Sequence, residues 1–360
     1  MKWLLLILIL PYLILLLKNY RSLLKIKQFI TPENPSTFVS VVVACRNEQD
    51  NLPGLLNCLT LQNYPGSLFE VVIVNDQSTD NTFDVASGFT GISNLFILNN
   101  KGKGKKSALR TGIESSKGKL ILTTDADCLM DSNWIKTIAS FYEQYEPEMI
   151  ICPVMPDTDN SIAGKMQELE FLSLQGITAC FAMSGKPIMC NGANLAFKRE
   201  AYFRHTGNLR DEINTGDDIF LLHSLKKEKG SVIKWIESAD ATVKTKSSSR
   251  LGSFLKQRSR WISKSRYYTD RDTISVAVAT FVAVLLQLTL FSALFAKAAL
   301  IPIFTAVFIL KSIPDFLILQ NTTKRYGKSR LMRWFLPAQL LYPFYVVIVF
   351  FISMMRNTGK

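Results

Sequence analysis

Two acidic residues near the middle of the chain, Asp125 and Asp127, are separated by one alanine and follow a short apolar run. Carboxylates at i and i+2 of a strand-to-loop turn can both point into one crevice. Mg²⁺ and Mn²⁺ are hard cations that take one or two carboxylates and fill their other positions with water and phosphate oxygens. The spacing therefore predicts a divalent-cation site. A second Asp-x-Asp motif, Asp157-Thr158-Asp159, follows two prolines and is typical of a solvated loop.

The elements that must position these acids are short apolar runs with the composition of strands buried on both faces of a parallel sheet. Four such runs are Phe38 to Ala44, Glu70 to Val74, Leu95 to Leu98 and Lys119 to Thr124. Helical spacing in Leu52 to Leu61 makes the start of the series β-α-β. Clustered polar residues follow the first, second and fourth strands, where open α/β sheets bind their ligands. We therefore expect an α/β fold with a site at this edge.

Six motifs occur in the order seen in family 2 glycosyltransferases: Arg46-Asn47-Glu48, Asn75-Asp76-Gln77-Ser78-Thr79-Asp80, Gly104-Lys105-Lys106-Ser107-Ala108-Leu109, Asp125-Ala126-Asp127, Gly216-Asp217-Asp218 and Gln257-Arg258-Ser259-Arg260-Trp261. Over about Phe38 to Trp261 the chain resembles the membrane-bound, inverting members of that family, which include cellulose, hyaluronan, poly-N-acetylglucosamine and ceramide glucosyl transferases. The resemblance implies a GT-A fold, a Rossmann-like α/β domain with a mostly parallel central sheet.

The same resemblance implies how a nucleotide-sugar donor is bound. Asp76 would contact the base and Asp125 the ribose, while Asp127 would hold the Mg²⁺ or Mn²⁺ that bridges the diphosphate. Lys105 would lie near the donor phosphates, and Asn47 and Glu48 would complete the donor site. The chain departs from the pattern in its lysine-rich stretch 101–106 and in Arg110, where an asparagine is common. A solvated lysine run is the alternative for that stretch.

The acidic pair Asp217-Asp218 precedes the helix-like run Ile219 to Leu225. Negative charge is favoured at a helix N-terminus, so capping is one interpretation of the pair. In the resembling pattern the pair reads Glu-Asp, and its second member is the base that removes a proton from the acceptor hydroxyl. That pattern makes Asp218 the expected catalytic base and Asp217 its neighbour on the acceptor and diphosphate side.

Gln257, Arg260 and Trp261 fall at i, i+3 and i+4, so they share one face if the segment is helical. A tryptophan can stack on a sugar ring, and glutamine and arginine can hydrogen-bond an acceptor and a leaving diphosphate. The segment also has the composition of a basic amphipathic helix at a membrane surface, and both roles are compatible. Between the motifs, Asn194 is a candidate acceptor contact, with a turn or a buried polar residue as the alternative.

Apolar residues are concentrated at both ends of the chain. Residues 1–30 are predicted to form a transmembrane anchor with a basic juxtamembrane segment, since no small-residue cleavage site of a signal peptide follows the Leu/Ile run. A domain of residues 36–272, with an interfacial basic helix at 250–268, precedes a membrane region of residues 273–360. Three spans are predicted there, at about 274–296, 298–320 and 335–354.

Charge distribution predicts how these segments are oriented. The basic residues after the first span, and those of Asn321 to Trp334, place both segments in the cytosol together with the catalytic domain. Lys311 and Asp315 lie one turn apart inside the third span, so we expect them to pair or to face the bundle interior. The net charge of +13 is concentrated beside the apolar segments, which favours a membrane surface over nucleic acid. The six cysteines are scattered with no Cys-x-x-Cys spacing and the sequence has two histidines, so the pattern does not indicate a zinc site.

The sequence thus predicts an inverting glycosyltransferase of the cell membrane. It would move a hexosyl or N-acetylhexosaminyl group from a nucleotide-diphosphate sugar, with a UDP-sugar favoured, to a lipid, lipid-linked or polysaccharide acceptor. A catalytically silent nucleotide-sugar-binding scaffold is the alternative, although such a protein would be expected to lose Asp127 or Asp218. A transporter would carry ionisable residues along most of its spans, and only Lys311 and Asp315 are conspicuous here.

Overall fold

The structure, a computed structural model, describes residues 2–32, 34–210, 213, 215–247 and 251–355. Arg250, the first residue of the predicted basic helix, and the last five residues of the predicted range 273–360 lie outside the described residues. The chain divides into two compact units. The first, here called the helical unit, comprises residues 1–25, 158–188 and 247–360, and the second, called the sheet unit, comprises residues 26–157 and 189–246.

The strands are β1 (Val39–Cys45), β2 (Phe69–Asn75), β3 (Leu95–Asn99), β4 (Leu120–Asp125), β5 (Cys128–Met130), β6 (Met149–Ile151), β7 (Val154–Asp157), β8 (Asn194–Lys198), β9 (Ile233–Trp235) and β10 (Val243–Lys246). The helices are α1 (Leu10–Leu23), α2 (Leu52–Thr60), α3 (Thr82–Ser87), α4 (Lys105–Ser115), α5 (Trp134–Tyr145), α6 (Ile162–Met183), α7 (Arg199–His205), α8 (Asp217–Lys227), α9 (Leu251–Ser263), α10 (Arg271–Leu294), α11 (Ile301–Arg325) and α12 (Phe335–Met355). Short 3₁₀ segments cover Lys2–Ile9, Gly66–Leu68, Thr206–Asn208, Ser265–Tyr267, Ala298–Leu300 and Ser329–Trp334.

The sheet unit is built on a seven-stranded sheet with the order β3-β2-β1-β4-β8-β6-β9. Strands β3, β2, β1 and β4 are parallel neighbours. Strand β8 runs antiparallel to both β4 and β6, and β9 is again parallel to β6. The sheet is therefore mostly parallel, which confirms the predicted α/β fold class. The four predicted strands are present, each with ends within one residue of those expected.

Burial of both sheet faces follows from the composition of the central strands. In β1 the side chains of Val39, Val41, Val42 and Val43 are all fully buried, which requires cover on both sides of the sheet. Helix α4 supplies cover on one face, and Gly112 is what lets it approach closely. A Cβ at this position would lie 2.5 Å from Cγ1 of Val42 and 3.0 Å from Cγ2 of Val74. The packing fixes α4, and with it the residues at its N-terminus, against β1 and β2.

A second, three-stranded sheet has the order β5-β10-β7. Strand β10 pairs antiparallel with β5, placing Thr245 opposite Cys128, and parallel with β7. This small sheet begins directly after the Asp125-Ala126-Asp127 motif. It therefore brings the segment 243–246, more than a hundred residues away in sequence, beside the predicted metal ligand.

The helical unit contains α1, α6 and α9 to α12. Among the residues that the structure describes, four helical segments are long and apolar enough to cross a membrane, by length and composition: Trp3–Leu23, Arg271–Leu294, Ala298–Arg325 and Ser329–Met355. These segments overlap the ranges predicted to span a membrane, and the predicted range 274–296 extends two residues beyond Leu294. Helices α1 and α11 lie side by side in the same direction, since Tyr12 bonds to Asp315 and the Leu23 carbonyl oxygen accepts a 2.9 Å hydrogen bond from Arg325 Nη2. The basic ends of these two helices therefore lie at the same end of the unit.

The expected pairing of Lys311 with Asp315 is confirmed. Lys311 is 0% exposed, and its Nζ lies 2.9 Å from Asp315 Oδ2. Gln339 accepts a 2.8 Å hydrogen bond from Lys311 through Oε1 and donates a 3.0 Å bond to Asp315 through Nε2. Tyr12 donates to the other carboxylate oxygen of Asp315. The buried charges are thus paired and hydrogen-bonded by residues from α1, α11 and α12, as burial of ions in an apolar bundle requires.

Candidate active site

The loops that follow β1 and β2 are joined at the carboxyl edge of the sheet. The backbone N–H of Asn47 donates to Ser78 Oγ at 3.1 Å, and Asn47 Oδ1 accepts from the Thr79 N–H at 2.8 Å. Glu48 N–H donates to Thr82 Oγ1 at 2.7 Å. Asn47 has a positive φ of 57°, a conformation of non-glycine residues that concentrates at functional sites. Because the two strands are parallel neighbours, these loops form one polar edge.

Asp76 lies just after β2 and is only 3% exposed. Its Oδ1 accepts from Asn100 Nδ2 at 2.6 Å and from the Gly104 N–H at 2.8 Å. Its Oδ2 lies 4.0 Å from Nη1 of Arg46. Asp76, the residue predicted to contact the nucleobase, therefore joins the loop after β2 to the glycine turn before α4. Its Oδ2 is the oxygen that faces the exposed side chain of Arg46.

Lys105 is the first residue of α4, and Gly104 before it has φ = 92°, which a residue with a Cβ rarely adopts. Lys105 Nζ lies 2.5 Å from Oδ1 of Asp125, the last residue of β4. Burial lowers the pKa of the Lys105 ammonium, but Asp125 and then Asp217 raise it more, so the net pKa lies above its ordinary value. Lys105 therefore places a positive charge at the carboxyl end of β4.

The neighbouring lysines differ from one another. Lys106 is buried and donates to the backbone carbonyls of Leu209 and Arg210, the latter at 2.6 Å. Lys101 is exposed and lies 3.8 Å from Glu114. The stretch 101–106 is therefore not simply a run of solvated lysines. Lys105 pairs with Asp125, and Lys106 holds the backbone at Leu209 and Arg210. Arg110, the other departure from the family pattern, hydrogen-bonds Tyr202.

Asp127 lies two residues beyond the end of β4 and directly before β5. Its Oδ2 lies 3.4 Å from the Thr245 hydroxyl of the neighbouring β10. Burial, followed by the negative charges of Asp125 and Glu48, raises the pKa of the Asp127 carboxyl above its ordinary value. The site is therefore rich in negative charge, an environment that a cation relieves.

The carboxylate oxygens at this edge are ligands that fit Mg²⁺ or Mn²⁺ when phosphate oxygens share the coordination. Within the part of the chain that the structure describes, no group of three or more His, Cys, Asp or Glu side chains is arranged to hold a metal by itself. Asp127 and Asp125 offer carboxylate oxygens, the ligands that both cations prefer, and such ions usually complete their shell with water and substrate phosphates. The residues present thus fit a divalent cation that completes its shell with water or with phosphate oxygens of a ligand.

Asp217 and Asp218 form the first turn of α8, and Gly216 before them has φ = 95°. Asp218 Oδ1 accepts from the Ile219 N–H at 2.8 Å, and Oδ2 accepts from the Gly192 N–H at 3.1 Å. Asp218 thus satisfies one first-turn donor of the helix, as the capping interpretation requires, and also faces the loop before β8. The charges of Asp217 and Asp218 both act on Lys105, so the structure brings this pair together with Asp125.

The loop before β8 is held in place by Asn194. The Asn194 side chain is fully buried, donates from Nδ2 to the carbonyls of Pro153 and Ala241 at 2.7 and 2.8 Å, and accepts at Oδ1 from Trp134 Nε1 at 3.0 Å. Such contacts are those of a buried polar residue, the alternative to an acceptor contact. Its neighbour Gly192, which the motif pattern did not single out, is the residue that reaches Asp218.

Gln257, Arg260 and Trp261 lie on α9 of the helical unit, whereas the other predicted site residues lie in the sheet unit. The predicted helix is present. Arg260 is exposed, and Gln257 and Trp261 are partly buried. Sequence reasoning missed three polar residues of the sheet unit's site, Asn51, Asn100 and Lys246. Asn100 holds Asp76, while Asn51 accepts from Lys246 at 2.5 Å and donates to Glu48 at 2.7 Å.

A comparison with known protein families assigns the part of the chain that contains this edge of the sheet to an enzyme family. Residues 40–205 match the family model described as glycosyl transferase family 2. The chain therefore carries a family 2 glycosyltransferase domain, which confirms the resemblance found in the sequence. The matched segment contains β2 to β4, all of β1 except its first residue, and the residues Asn47, Asp76, Lys105 and Asp127.

Two curated relatives are glycosyltransferases by name. Glycosyltransferase AglE of Haloferax volcanii is 39% identical over 101 residues, which are 28% of this chain and 33% of the relative. The poly-beta-1,6-N-acetyl-D-glucosamine synthase of Staphylococcus epidermidis is 25% identical over 246 residues, which are 65% of this chain and 56% of that enzyme. The chain thus spans a third to about half of the length of these relatives.

Among solved structures, the mannosyltransferase PcManGT of Pyrobaculum calidifontis, in complex with GDP-Man and Mn²⁺, matches with a TM-score of 0.60 and 17% identity. The match covers 98% of this chain and 99% of that one. At this level of identity the similarity concerns the fold, and it extends to the apolar helices as well as to the sheet. The GT-A fold with apolar helices at both ends is confirmed.

Proposed function

We propose that this protein is a membrane-bound, inverting glycosyltransferase that moves a sugar from a nucleotide-diphosphate donor to an acceptor hydroxyl. The observation that carries the proposal is that Lys105, Asp125 and Asp127 lie at the carboxyl edge of parallel strands in a family 2 domain, and that the charges of the Asp217-Asp218 pair at the start of α8 act on the same Lys105. One positive charge and several carboxylates there match the needs of a diphosphate, its cation and a proton transfer. A UDP-sugar is the favoured donor.

The donor side of the site follows from the geometry of the strand ends. Asp76 Oδ2 and the loop of Asn47 and Glu48 would bind the nucleoside, and Asp125 its ribose. Mg²⁺ or Mn²⁺, when bound, neutralises the charge that develops on the leaving diphosphate. Lys105 shares that task as a fixed ammonium, which now bonds Asp125 and would turn part of its charge to the donor phosphates.

The transfer itself requires a base on the face opposite the diphosphate. Asp218 would take the proton of the acceptor hydroxyl at a carboxylate oxygen while that hydroxyl oxygen forms a bond to the anomeric carbon. The bond from that carbon to the diphosphate oxygen breaks, and the nucleoside diphosphate leaves. A single displacement of this kind converts an α-linked donor into a β-glycoside. Gln257 and Trp261 would bind the acceptor, and Arg260 the departing diphosphate.

The acceptor and the cellular placement form part of the same proposal. Four apolar helices of membrane-spanning length and the basic ends of α1 and α11 favour an integral protein of the cell membrane whose catalytic domain faces the cytosol. A lipid, lipid-linked or growing polysaccharide acceptor fits that placement. The names of two relatives, a poly-N-acetylglucosamine synthase and PcManGT with bound GDP-Man and Mn²⁺, agree with a nucleotide-sugar donor.

The decisive experiment is turnover of a panel of nucleotide sugars by the purified protein in detergent. Radiolabelled UDP-glucose, UDP-N-acetylglucosamine and GDP-mannose are each supplied with Mn²⁺ and a membrane lipid extract, and products are identified by mass spectrometry. We expect one donor to be consumed and its sugar to appear on an extract component in β-linkage. Donor binding with no transfer to any component or to water would instead support a silent scaffold.

Metal dependence is a separate prediction for Asp127. We expect excess chelator to abolish transfer, and Asp127→Asn to raise the Mn²⁺ concentration for half-maximal activity by at least the roughly 10- to 100-fold that changing even an outer-shell group costs a metal site. The control is Asp159→Asn in the other Asp-x-Asp motif, whose exposed carboxylate accepts hydrogen bonds from Ser161. Unchanged metal titration in Asp127→Asn, or full activity in chelator, would contradict the assignment.

Membrane orientation is tested by labelling single introduced cysteines in intact cells after the native thiols are blocked. Ser22→Cys and Ser329→Cys lie in the two basic segments, and we expect an impermeant maleimide to reach them only after permeabilisation. Ala296→Cys, in the link between α10 and α11, is the matched position at the opposite ends of these helices and should be labelled from outside. Labelling of Ser22→Cys or Ser329→Cys from outside would overturn the cytosolic orientation.

A further inference from the structure

Arg258 lies inside the motif Gln257-Arg258-Ser259-Arg260-Trp261 but has no part in the mechanism described above. It is 5% exposed, whereas Arg260, two positions along the same helix, is exposed. Burying a guanidinium is costly unless its donors are bonded to an anion. A guanidinium buried to this extent requires an anion among its contacts.

The guanidinium of Arg258 forms a two-pronged ion pair with Glu170 of α6. Arg258 Nε lies 3.1 Å from Glu170 Oε1, and Arg258 Nη2 lies 2.6 Å from Oε2. Tyr345 of α12 donates a further 3.2 Å hydrogen bond to Glu170 Oε1. Helices α6, α9 and α12 are thus joined at one point, and the fork geometry allows a single orientation of the guanidinium plane.

Two members of the motif contact that oriented plane. The centroid of a Trp261 ring lies 4.1 Å from Arg258 Cζ. Phe254, which precedes the motif on α9, also packs on the guanidinium, with its ring centroid 4.7 Å from the same atom. Arg258 Nη1 donates to Gln257 Oε1 at 2.9 Å. The indole therefore rests one face on the guanidinium, and the Gln257 amide is turned so that its NH₂ group is directed away from Arg258.

We propose that Arg258, held by Glu170, is a positioning residue for the acceptor side of the reaction. It sets the orientation of Trp261 and Gln257 before the acceptor binds, so that the second face of the indole and the glutamine NH₂ are presented to a sugar. The inference rests on the proposed function, because it gives Gln257 and Trp261 something to bind. It adds Arg258 and Glu170 to the residues on which acceptor recognition depends.

Arg258→Lys separates positioning from simple structural support. The variant keeps a positive charge beside Glu170 but loses both the fork and the flat surface under Trp261, and lysine does not replace arginine at such sites. We expect the amount of acceptor needed for half-maximal transfer to rise about tenfold or more, because ordering Trp261 and Gln257 then opposes binding. Glu170→Gln should shift the same quantity in the same direction.

The measurement uses the full-length protein in detergent, the donor that the parent turns over, and graded amounts of membrane lipid extract as the acceptor probe. Binding of the corresponding nucleoside diphosphate and slow donor hydrolysis by water are measured in parallel. Both should stay within about twofold of the parent in Arg258→Lys, since neither involves the acceptor. The matched control is Lys328→Gln, which breaks the 2.8 Å ion pair of Lys328 with Glu168, a buried acid two residues before Glu170 on α6.

The outcomes separate this inference from the function on which it rests. A parent protein that transfers nothing from any donor ends the proposed function and this inference with it. With an active parent, a raised acceptor requirement in Arg258→Lys and not in Lys328→Gln supports positioning. If both variants lose stability and keep the parental acceptor requirement per folded molecule, or if donor binding falls along with transfer, Arg258 is a structural residue and the inference is overturned.

Discussion

Asp218→Asn is expected to bind donor and metal about as well as the parent and to lose on the order of 10²- to 10⁴-fold in the rate of transfer. The substitution keeps the shape of the side chain and one acceptor oxygen for the Ile219 N–H, which is now bonded at 2.8 Å. It removes the negative charge that would take the acceptor proton. Single-turnover transfer and nucleoside diphosphate binding, measured on the same preparation, provide the two numbers.

The capping interpretation predicts the opposite pattern for the same variant. Asparagine is itself a good residue at a helix N-terminus, so turnover per folded molecule would stay close to that of the parent. Asp84→Asn is the matched control, because Asp84 is an exposed acid in the first turn of α3 and has no part in the site. Near-parental transfer by Asp218→Asn, or a product with an α-linkage, would end its assignment as the base of an inverting reaction.

The parts of this fold that could be predicted from sequence are those whose signal is local. Val39 to Val43 form a valine-rich run interrupted only by Ser40, and such a composition is typical of a strand covered on both faces. Polar residues at the ends of β1, β2 and β4 marked the edge where Asp76, Asp125 and Asp127 lie, since parallel strands end on the same side. The position of these three acids at one edge of the sheet was thus predictable from topology, with no knowledge of any side-chain contact.

The antiparallel position of β8 between β4 and β6 left no comparable signal. The run Asn194–Lys198 is strand-like, but its direction in the sheet is set by its pairing with residues 120–124 and 149–151, which lie far from it in sequence. That arrangement is what brings Gly192 to Asp218. The burial of Asn194 depends likewise on Trp134, Pro153 and Ala241, each of them distant in sequence.

Arg258 shows the same limit within a motif. Its sequence context indicates a basic, amphipathic helix, and nothing local distinguishes it from Arg260. The distinction arises from Glu170, 88 residues earlier, whose carboxylate offers a bonded place for a buried guanidinium. The pairing of Lys311 with Asp315 was predictable because the two positions are one helical turn apart, whereas the contributions of Tyr12 and Gln339 were not.

Lys311→Met is expected to lower the free energy of unfolding of the detergent-solubilised protein by about 3–5 kcal/mol, the usual cost of removing one partner of a buried ion pair. Asp315 would keep its hydrogen bonds from Tyr12 and Gln339 but lose the only charge that the structure places within 4.0 Å of it among the described residues. Reversible unfolding in mild detergent, followed by tryptophan fluorescence, measures the loss.

Two companion variants make this prediction specific to the buried charge. Lys297→Met replaces an exposed lysine between α10 and α11 and should change stability by less than about 0.5 kcal/mol, as surface substitutions usually do. Lys311→Met combined with Asp315→Leu removes both charges, and it should be more stable than Lys311→Met alone because no carboxylate is left unpaired in an apolar bundle. A double variant that is less stable than the single one would mean that Asp315 stabilises the helices through Tyr12 and Gln339 without needing Lys311. In that case the network would be a hydrogen-bonded one in which the ion pair is incidental.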